Sequence, residues 1–439
     1  MDGLWPTFMR RSRSPVSDGR TTVPAAACAH MPVPEKVVLP LQDLPEDSCE
    51  VLVTTGEHVL AGQQIGTMGI RPHYLAVHAP FSGTVTAVEQ RIHEAGGERH
   101  VLAVEIAAAP EQKSAPAVPL SQFSGDRLMF LRDMGVPLDF DALVTARSLM
   151  VNCTEFEPTI STRAAIIMNH AEAFAGGLRH LMAATGHTEI TLLVHAAERE
   201  LGARLKAIAD RVRGVRLTAV ARAWPDTLQP LMSFRQRLSG QAAPAVIVGP
   251  GQVFAVYEAL ELGQPYIRQL VSIAGSAVPA PQTVWLHAGT PLVEILRRAG
   301  VSFPFAGRVA LGGPMMGGPR YSLEAGIGKK VRGLFAAAGF ILPDERKSRF
   351  YQSCACIRCG KCVEVCPAGI TPIAVVEQVK FHDLNRSLEC GLLSCLECGL
   401  CAYVCPSQLP LVEIIKLGKL QTRGRESLLI FNIFKTLSS

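Results

Sequence analysis

Charge is scarce in this sequence. Asp, Glu, Lys and Arg together make up 18% of its 439 residues, and the formal net charge is only +5. Apart from Arg10, Arg11 and Arg13 in the opening segment there is no dense basic run, so nothing argues for a nucleic-acid partner. Long apolar runs are missing as well. No stretch reaches the roughly 18 residues that a membrane-spanning helix needs. The run Leu428–Phe434 is apolar but far too short, and reads as a short terminal helix. The first residues lack the apolar core of a secretory signal, since Arg13 is followed by Ser, Pro, Asp and Gly. A cytoplasmic setting is therefore expected. Hydrolytic chemistry also has no footing, because no Ser-His-Asp, Cys-His or paired-carboxylate arrangement is visible. His73, His78, His93 and His100 stand at no repeated metal spacing and read as surface or core histidines.

Cysteine, by contrast, is plentiful and unevenly placed. Ten of the 13 cysteines lie between Cys354 and Cys405. A disulfide framework would spread them over a small secreted domain; clustering points to metal and a reducing compartment. Two copies of one pattern account for eight. The first is Cys356, Cys359, Cys362 and Cys366 followed by Pro367; the second is Cys395, Cys398, Cys401 and Cys405 followed by Pro406. Both read C-x₂-C-x₂-C-x₃-C-P, the run of bacterial two-cluster ferredoxins. Three thiolates at three-residue steps wrap three corners of a cubane, and the fourth cysteine reaches the other cluster. The proline turns the chain out of the site. The expected ligand sets are crossed: Cys356, Cys359, Cys362 and Cys405 for one [4Fe–4S] cluster, Cys366, Cys395, Cys398 and Cys401 for the other. Zinc knuckles, the competing reading, usually pair two C-x₂₋₄-C units across a longer loop and lack this triple spacing. Cys354 and Cys390 fall outside the register, and Cys28, Cys49 and Cys153 are isolated; packing is their expected role.

The rest of the chain divides by pattern. Residues 1–30 read as a disordered tail. Residues 31–108 alternate short apolar runs with glycine turns and read as all-β. Within them, Thr55–Gln63 and His78–Val85 resemble the barrel-sandwich hybrid of biotinyl and lipoyl carriers. A carrier needs a lysine on an exposed hairpin, yet none occurs between Lys36 and Lys113, so a docking or scaffold module is expected. Residues 109–125, with Pro110, Pro116 and Pro119, form a linker. Residues 126–262 alternate strands (148–151, 189–194, 215–220, 245–248) with helices such as 160–184 and 197–212. That order predicts a mostly parallel sheet covered by helices. Residues 263–340 turn back toward β, with a short helix opening at Gly289–Leu292 and a glycine-rich loop at Gly312–Gly318. The loop lacks a P-loop lysine and serine. Residues 341–425 hold the cysteines with little sheet, and 426–439 form a tail.

Taken in order, these parts resemble the RnfC (RsxC) subunit of the Rnf ion-translocating electron-transport complex. The phrases that carry the resemblance are Val37–Leu41, Gly56–Gln63, His78–Val85, Val151–Pro158, Gly289–Pro291, Gly312–Gly317 and both cysteine runs. It covers roughly residues 31–420. The resemblance implies a multidomain α/β plus β chain like the flavoprotein subunit of respiratory complex I. A barrel-sandwich hybrid would be followed by a Rossmann-like FMN/NADH-type α/β domain, a β-grasp (SLBB-type) domain and an α-helical two-[4Fe–4S] ferredoxin-like domain. It also implies a peripheral subunit on the cytoplasmic side of the bacterial inner membrane. Its partners would be the other subunits of the complex and a ferredoxin-like or NADH electron partner. In the family pattern Asn152, Glu155 and Glu157 line the flavin/nicotinamide cleft.

This chain departs from that pattern. The family's flavin domain opens with G-x-G-G-x-G-F-P-T, whereas residues 132–142 here keep only Gly135 and carry the bulky Leu138 and Phe140. Glycines there would let backbone N–H groups approach phosphate. The signature Tyr-Pro-x-Gly-x-Glu stands here as Trp224–Gln229, without its glycine and glutamate. The expected function is therefore electron transfer through two clusters within an Rnf-type complex. The alternatives are a cluster-bearing wire or docking subunit that has lost FMN and NADH, and a stand-alone iron–sulfur reductase.

Overall fold

The computed structural model describes residues 28–422, except 44, 94–98, 124, 156, 158, 221–227, 229–231, 233–244, 304–306, 321 and 339–352. It contains two compact units. One holds Gly19–Gly313 and Pro319–Ala338; the other holds Met1–Asp18, Pro314–Gly318 and the chain from Gly339 onward. The Trp224–Gln229 signature, the N-terminal tail and the Leu428–Phe434 run fall, wholly or almost wholly, outside the described residues.

The first unit begins with seven strands: β1 (Lys36–Pro40), β2 (Cys49–Val51), β3 (His58–Val59), β4 (Gln64–Ile70), β5 (His73–His78), β6 (Gly83–His93) and β7 (Arg99–Ala108). They form two antiparallel sheets, ordered β1-β7-β6-β3 and β2-β4-β5. Alternate residues of the strands meet in one core around Val37, Leu39, Ile65, Phe81, Val104 and Ile106. Such alternation is what a half-solvated antiparallel sheet requires. The segment after β7, expected as a linker, is tied on both sides. Ala61 N donates to Lys113 O, Ala115 N to Ala61 O, and Val118 N to Gly263 O.

Next come α1 (Arg127–Asp133), α2 (Phe140–Thr145), β8 (Ser148–Asn152), α3 (Thr162–Asn169), α4 (Ala171–Thr185), β9 (Ile190–His195), α5 (Arg199–Arg211), β10 (Val215–Val220), β11 (Ala245–Val248) and α6 (Pro250–Leu262). The four strands pair in the order β10-β9-β8-β11, every pair parallel. Their continuous apolar runs follow from burial on both faces; β11 (Ala245–Val248) is buried at every position. The single helix expected over 160–184 is two helices. His170 leaves helical geometry (φ −132°, ψ 42°) and sets its ring 5.0 Å from Phe254 and 5.8 Å from Trp285.

A five-stranded mixed sheet completes the sequence of layers: β12 (Arg268–Ala274), β13 (Gln282–His287), α7 (Leu292–Arg298), β14 (Gly307–Leu311), β15 (Gly318–Arg320) and β16 (Gly333–Ala338). Its order is β13-β12-β16-β14-β15. Strands β12 and β16 run parallel, while β12/β13 and β14/β16 are antiparallel. Ile295 and Leu296 of α7 close the core over Val271, Ile273, Leu286 and Leu334. The start of the described chain borders β13, with Trp285 N donating to Ala29 O and Met31 N to Trp285 O.

The second unit is helical: α8 (Lys361–Glu364), α9 (Pro372–Lys380), α10 (Leu384–Glu389), α11 (Leu400–Tyr403) and a last helix over 411–422. Pro372 opens α9 at a position where its missing N–H costs nothing. Its core gathers Val375, Val376, Val379, Leu392, Leu411 and Ile415, with six cysteines packed on its edge or within it.

Candidate metal centre

Both cysteine runs fold alike, and backbone geometry explains how. Two residues after the first cysteine of each run, Arg358 and Glu397 both sit at φ 55°. That left-handed turn is costly for a residue with a Cβ. It aims the Arg358 N–H at Cys356 Sγ (3.4 Å) and the Glu397 N–H at Cys395 Sγ (3.4 Å). Gly360 and Gly399 follow at φ 77° and 82°, each opening one short helix that carries the third cysteine. Leu409 N–H points at Cys405 Sγ (3.5 Å).

The folded runs exchange their last cysteines. Cys356, Cys359 and Cys362 line a cavity of about 280 Å³ together with Cys405 from the other run, walled by Ile373, Leu409 and Leu411. On the other side, Cys366 lies close enough to Cys395, Cys398 and Cys401 to disfavour their ionisation. Burial leads in each case, pushing the Cys398 thiol up to about 12 and the Cys401 thiol higher still, and Cys366 adds to it. Two thiol sets result, each drawing three members from one run and one from the other. Cys354, whose N–H donates to Ser407 O, is exposed, and Cys390 packs in the helical core.

Does a cluster suit these residues? Among the described residues no three His, Cys, Asp or Glu side chains close on one metal ion. The first set instead stands around a cavity, with amide N–H groups aimed at sulfur. Thiolate donors, N–H···S bonds and apolar walls are the means by which proteins hold and tune iron–sulfur clusters. The residues fit. The two sites differ in exposure: Cys359 is exposed and Ile357 is 65% exposed, whereas Cys398 and Cys401 are each 7% exposed. Lys419, which no motif marks, donates to Cys395 O (2.6 Å) and Glu397 Oε1 (2.8 Å), and Lys416 donates to Met316 O. Their only sequence signal is three-residue spacing on the helix after the second run.

The three residues assigned to a flavin cleft lie together in the loop after β8, and all make inward contacts. Asn152 Oδ1 accepts from Thr154 N (3.1 Å) and Oγ1 (2.7 Å). Glu155 Oε1 accepts from Arg163 N (2.8 Å) and Ala164 N (2.9 Å), in the first turn of α3, while its Oε2 is buried with no hydrogen-bond partner. Burial pushes the Glu155 carboxyl up to about 7 against the pull of Arg163 and the two amides. Glu157 Oε1 accepts from Gly313 N (2.8 Å).

Where the glycine loop would stand, residues 132–142 form the end of α1, a turn, and the start of α2. Asp139 caps α2 by accepting from Ala142 N (3.0 Å), and Phe140 is buried beneath the Arg132 guanidinium, 4.6 Å from its ring centroid. Gly135 takes φ 68°. A Cβ there would come within 2.5 Å of Ala76 O and 2.8 Å of Lys329 Nζ. Its need for glycine is thus close packing. Lys329 was missed by sequence reasoning. Its ammonium is fully enclosed and donates to Ala76 O (2.8 Å) and Gly135 O (3.3 Å), although the residue keeps some accessible surface, and burial lowers its pKa to about 7.

Comparison with known proteins agrees with this geometry. A family model described as a 4Fe-4S dicluster domain matches residues 355–409, and one described as the RnfC barrel sandwich hybrid domain matches residues 17–111. This is an iron–sulfur protein of the 4Fe-4S dicluster type. Within that class the chain is a relative of the RnfC subunit of the ion-translocating oxidoreductase complexes. It is 28% identical over 368 residues to that subunit from Serratia proteamaculans, which covers 78% of this chain and 51% of the relative. It is 27% identical over 391 residues to the one from Rhodobacter capsulatus, covering 83% and 73%. The chain thus spans about half the length of the first of these relatives. Among solved structures, an NAD+-reducing [NiFe]-hydrogenase in the H2-reduced state aligns at 14% identity with a TM-score of 0.44, over 67% of this chain and 62% of that one.

Proposed function

We propose that this chain is an electron-transfer subunit of a membrane-bound, Rnf-type ion-translocating oxidoreductase complex. The observation that carries the reading is the crossed convergence of the eight thiols. Cys356, Cys359, Cys362 and Cys405 would hold one [4Fe–4S] cluster, and Cys366, Cys395, Cys398 and Cys401 the other. When bound, such clusters supply one-electron transfer at potentials set by burial and by hydrogen bonds to sulfur. The protein's part is to hold the thiols apart, to offer the Arg358, Glu397 and Leu409 amides, and to shut water from the second site. Residues 31–108 would be the barrel-sandwich hybrid, 109–125 a connector, 126–262 the flavoprotein-type α/β domain, 263–340 the SLBB-like β-grasp domain and 341–425 the ferredoxin-type domain. In this reading the chain sits at the cytoplasmic face of the inner membrane against the other subunits. No helix among the described residues is long and apolar enough to cross a membrane.

A second reading concerns FMN and NADH. The helix-turn-helix over residues 132–142 favours a subunit that has lost them and acts as a wire, because Leu138 and Phe140 pack into the core where backbone amides would need to face phosphate. The test is to purify the full chain anaerobically and to measure iron, acid-labile sulfide and released flavin on one sample. About eight iron and eight sulfide per chain without flavin is the expected result. The same iron with about one FMN would return the flavin to the reading of residues 132–142. Zinc in place of iron would overturn the cluster assignment.

A further inference from the structure

The first unit contains a second, larger cavity, of about 670 Å³, that electron transfer through the cysteines does not use. That volume lies within the range of sites for small organic ligands. Its walls come from five parts of the chain: the opening segment at His30, the turn at Gly62, the tied linker at Ser114–Val118, the α1 face at Phe130, and β12 and β13 at Arg268 and Trp285.

One end is apolar. Phe123 and Phe130 pack edge to face, 5.1 Å between centroids, and Val118 and Pro265 continue that surface. The other end is rich in hydrogen-bond donors. Arg268 spends both Nε and Nη2 on a single oxygen of the buried Glu258, and its Nη1 has no bond among the described residues. Its guanidinium carbon lies 5.1 Å from the Trp285 ring centroid, which fixes the plane. His30, stacked on Trp285, and His287 stand beside it. A free N–H edge on a fixed, sheltered guanidinium is the usual receptor for a carboxylate.

We propose that this cavity binds a small aromatic carboxylate, with its ring among Phe123, Phe130 and Pro265 and its carboxylate against the Nη1 edge of Arg268. Glu258 positions the guanidinium and leaves one edge for the ligand. The two imidazoles offer further polar contacts without adding negative charge. The site is independent of the cluster assignment, so neither stands or falls with the other.

The probe is 2-naphthoate, titrated calorimetrically into the full chain, with the neutral 2-naphthamide as its isosteric control. One-to-one binding is expected, with the amide at least about tenfold weaker because it cannot form the charge-assisted contact. Ala115→Trp, on the tied linker that lines the cavity, is expected to abolish binding with the iron content unchanged. The double variant E258Q/R268Q, which keeps a hydrogen-bonding pair but removes both charges, is expected to bind acid and amide alike. Equal affinity of the unaltered chain for acid and amide would overturn the proposal. So would binding that survives Ala115→Trp in a chain that melts as the unaltered one does, or no binding at millimolar probe.

Discussion

Glu155 shows how a residue can carry a functional expectation and a structural task at once. Its carboxyl holds the first turn of α3, but burial lifts its pKa to about 7. The folded state therefore grips the proton more tightly than the unfolded chain, whose carboxyl titrates near 4.3. The stability this group contributes is complete below the unfolded value and is lost as pH rises through about 7. Glu155→Gln keeps the acceptor for the two amides and removes the buried charge. It is expected to be more stable than the unaltered chain by about 2 kcal/mol at pH 8 in urea unfolding, the difference shrinking toward pH 5. A difference that does not change with pH would mean that the carboxylate is not strained where it lies. The cysteines were legible at this scale because metal chemistry fixes both residue type and spacing. Arg163, Lys329 and Lys419 were not, since a buried cation is recognised by the carbonyls around it, and those come from distant parts of the chain.

Short elements bring the two cysteine runs into matching shapes, and the glycines that open them give a controlled comparison. Gly360 and Gly399 share nearly the same backbone, yet a Cβ on Gly360 would meet nothing within 4 Å, whereas one on Gly399 would come 2.4 Å from Met315 O. Gly360→Ala is expected to cost about 1 kcal/mol, the conformational penalty alone. Gly399→Ala is expected to cost at least twice that and to lower the iron retained after anaerobic reconstitution. Equal losses in melting and iron content would remove Met315 from the argument. Most strands were legible at this scale, because β8, β9 and β11 are continuous apolar runs and β1 and β7 alternate. The break at His170 was hidden, since nothing local stops the helix there. The ring turns out toward Phe254 and Trp285, which lie more than eighty residues on.

At the scale of the molecule the two thiol sets are unequal. The first lies where solvent reaches Cys359, and the second is sheltered around Cys398 and Cys401. With clusters in both, an iron chelator is expected to remove about half the iron quickly and the rest slowly, because access to sulfur governs the attack. The slow phase is expected to keep one cluster's signal in electron paramagnetic resonance. A single phase would show that exposure does not distinguish the sites. The larger cavity belongs to this scale as well. Its lining runs from His30 to His287, so no window of sequence contains it.

Lys329 ties three modules at one point. Its ammonium leaves the β12–β16 layer to bond the carbonyl of Ala76, in the first pair of sheets, and that of Gly135, at the end of α1. In terms of descent, this makes residues 31–338 a single heritable block. A recombination event with its breakpoint between these modules would strand a lysine against foreign carbonyls and put a side chain where Gly135 leaves room for it. Lineages that reshuffle the helical cysteine unit are therefore expected to carry the three sheet modules over intact.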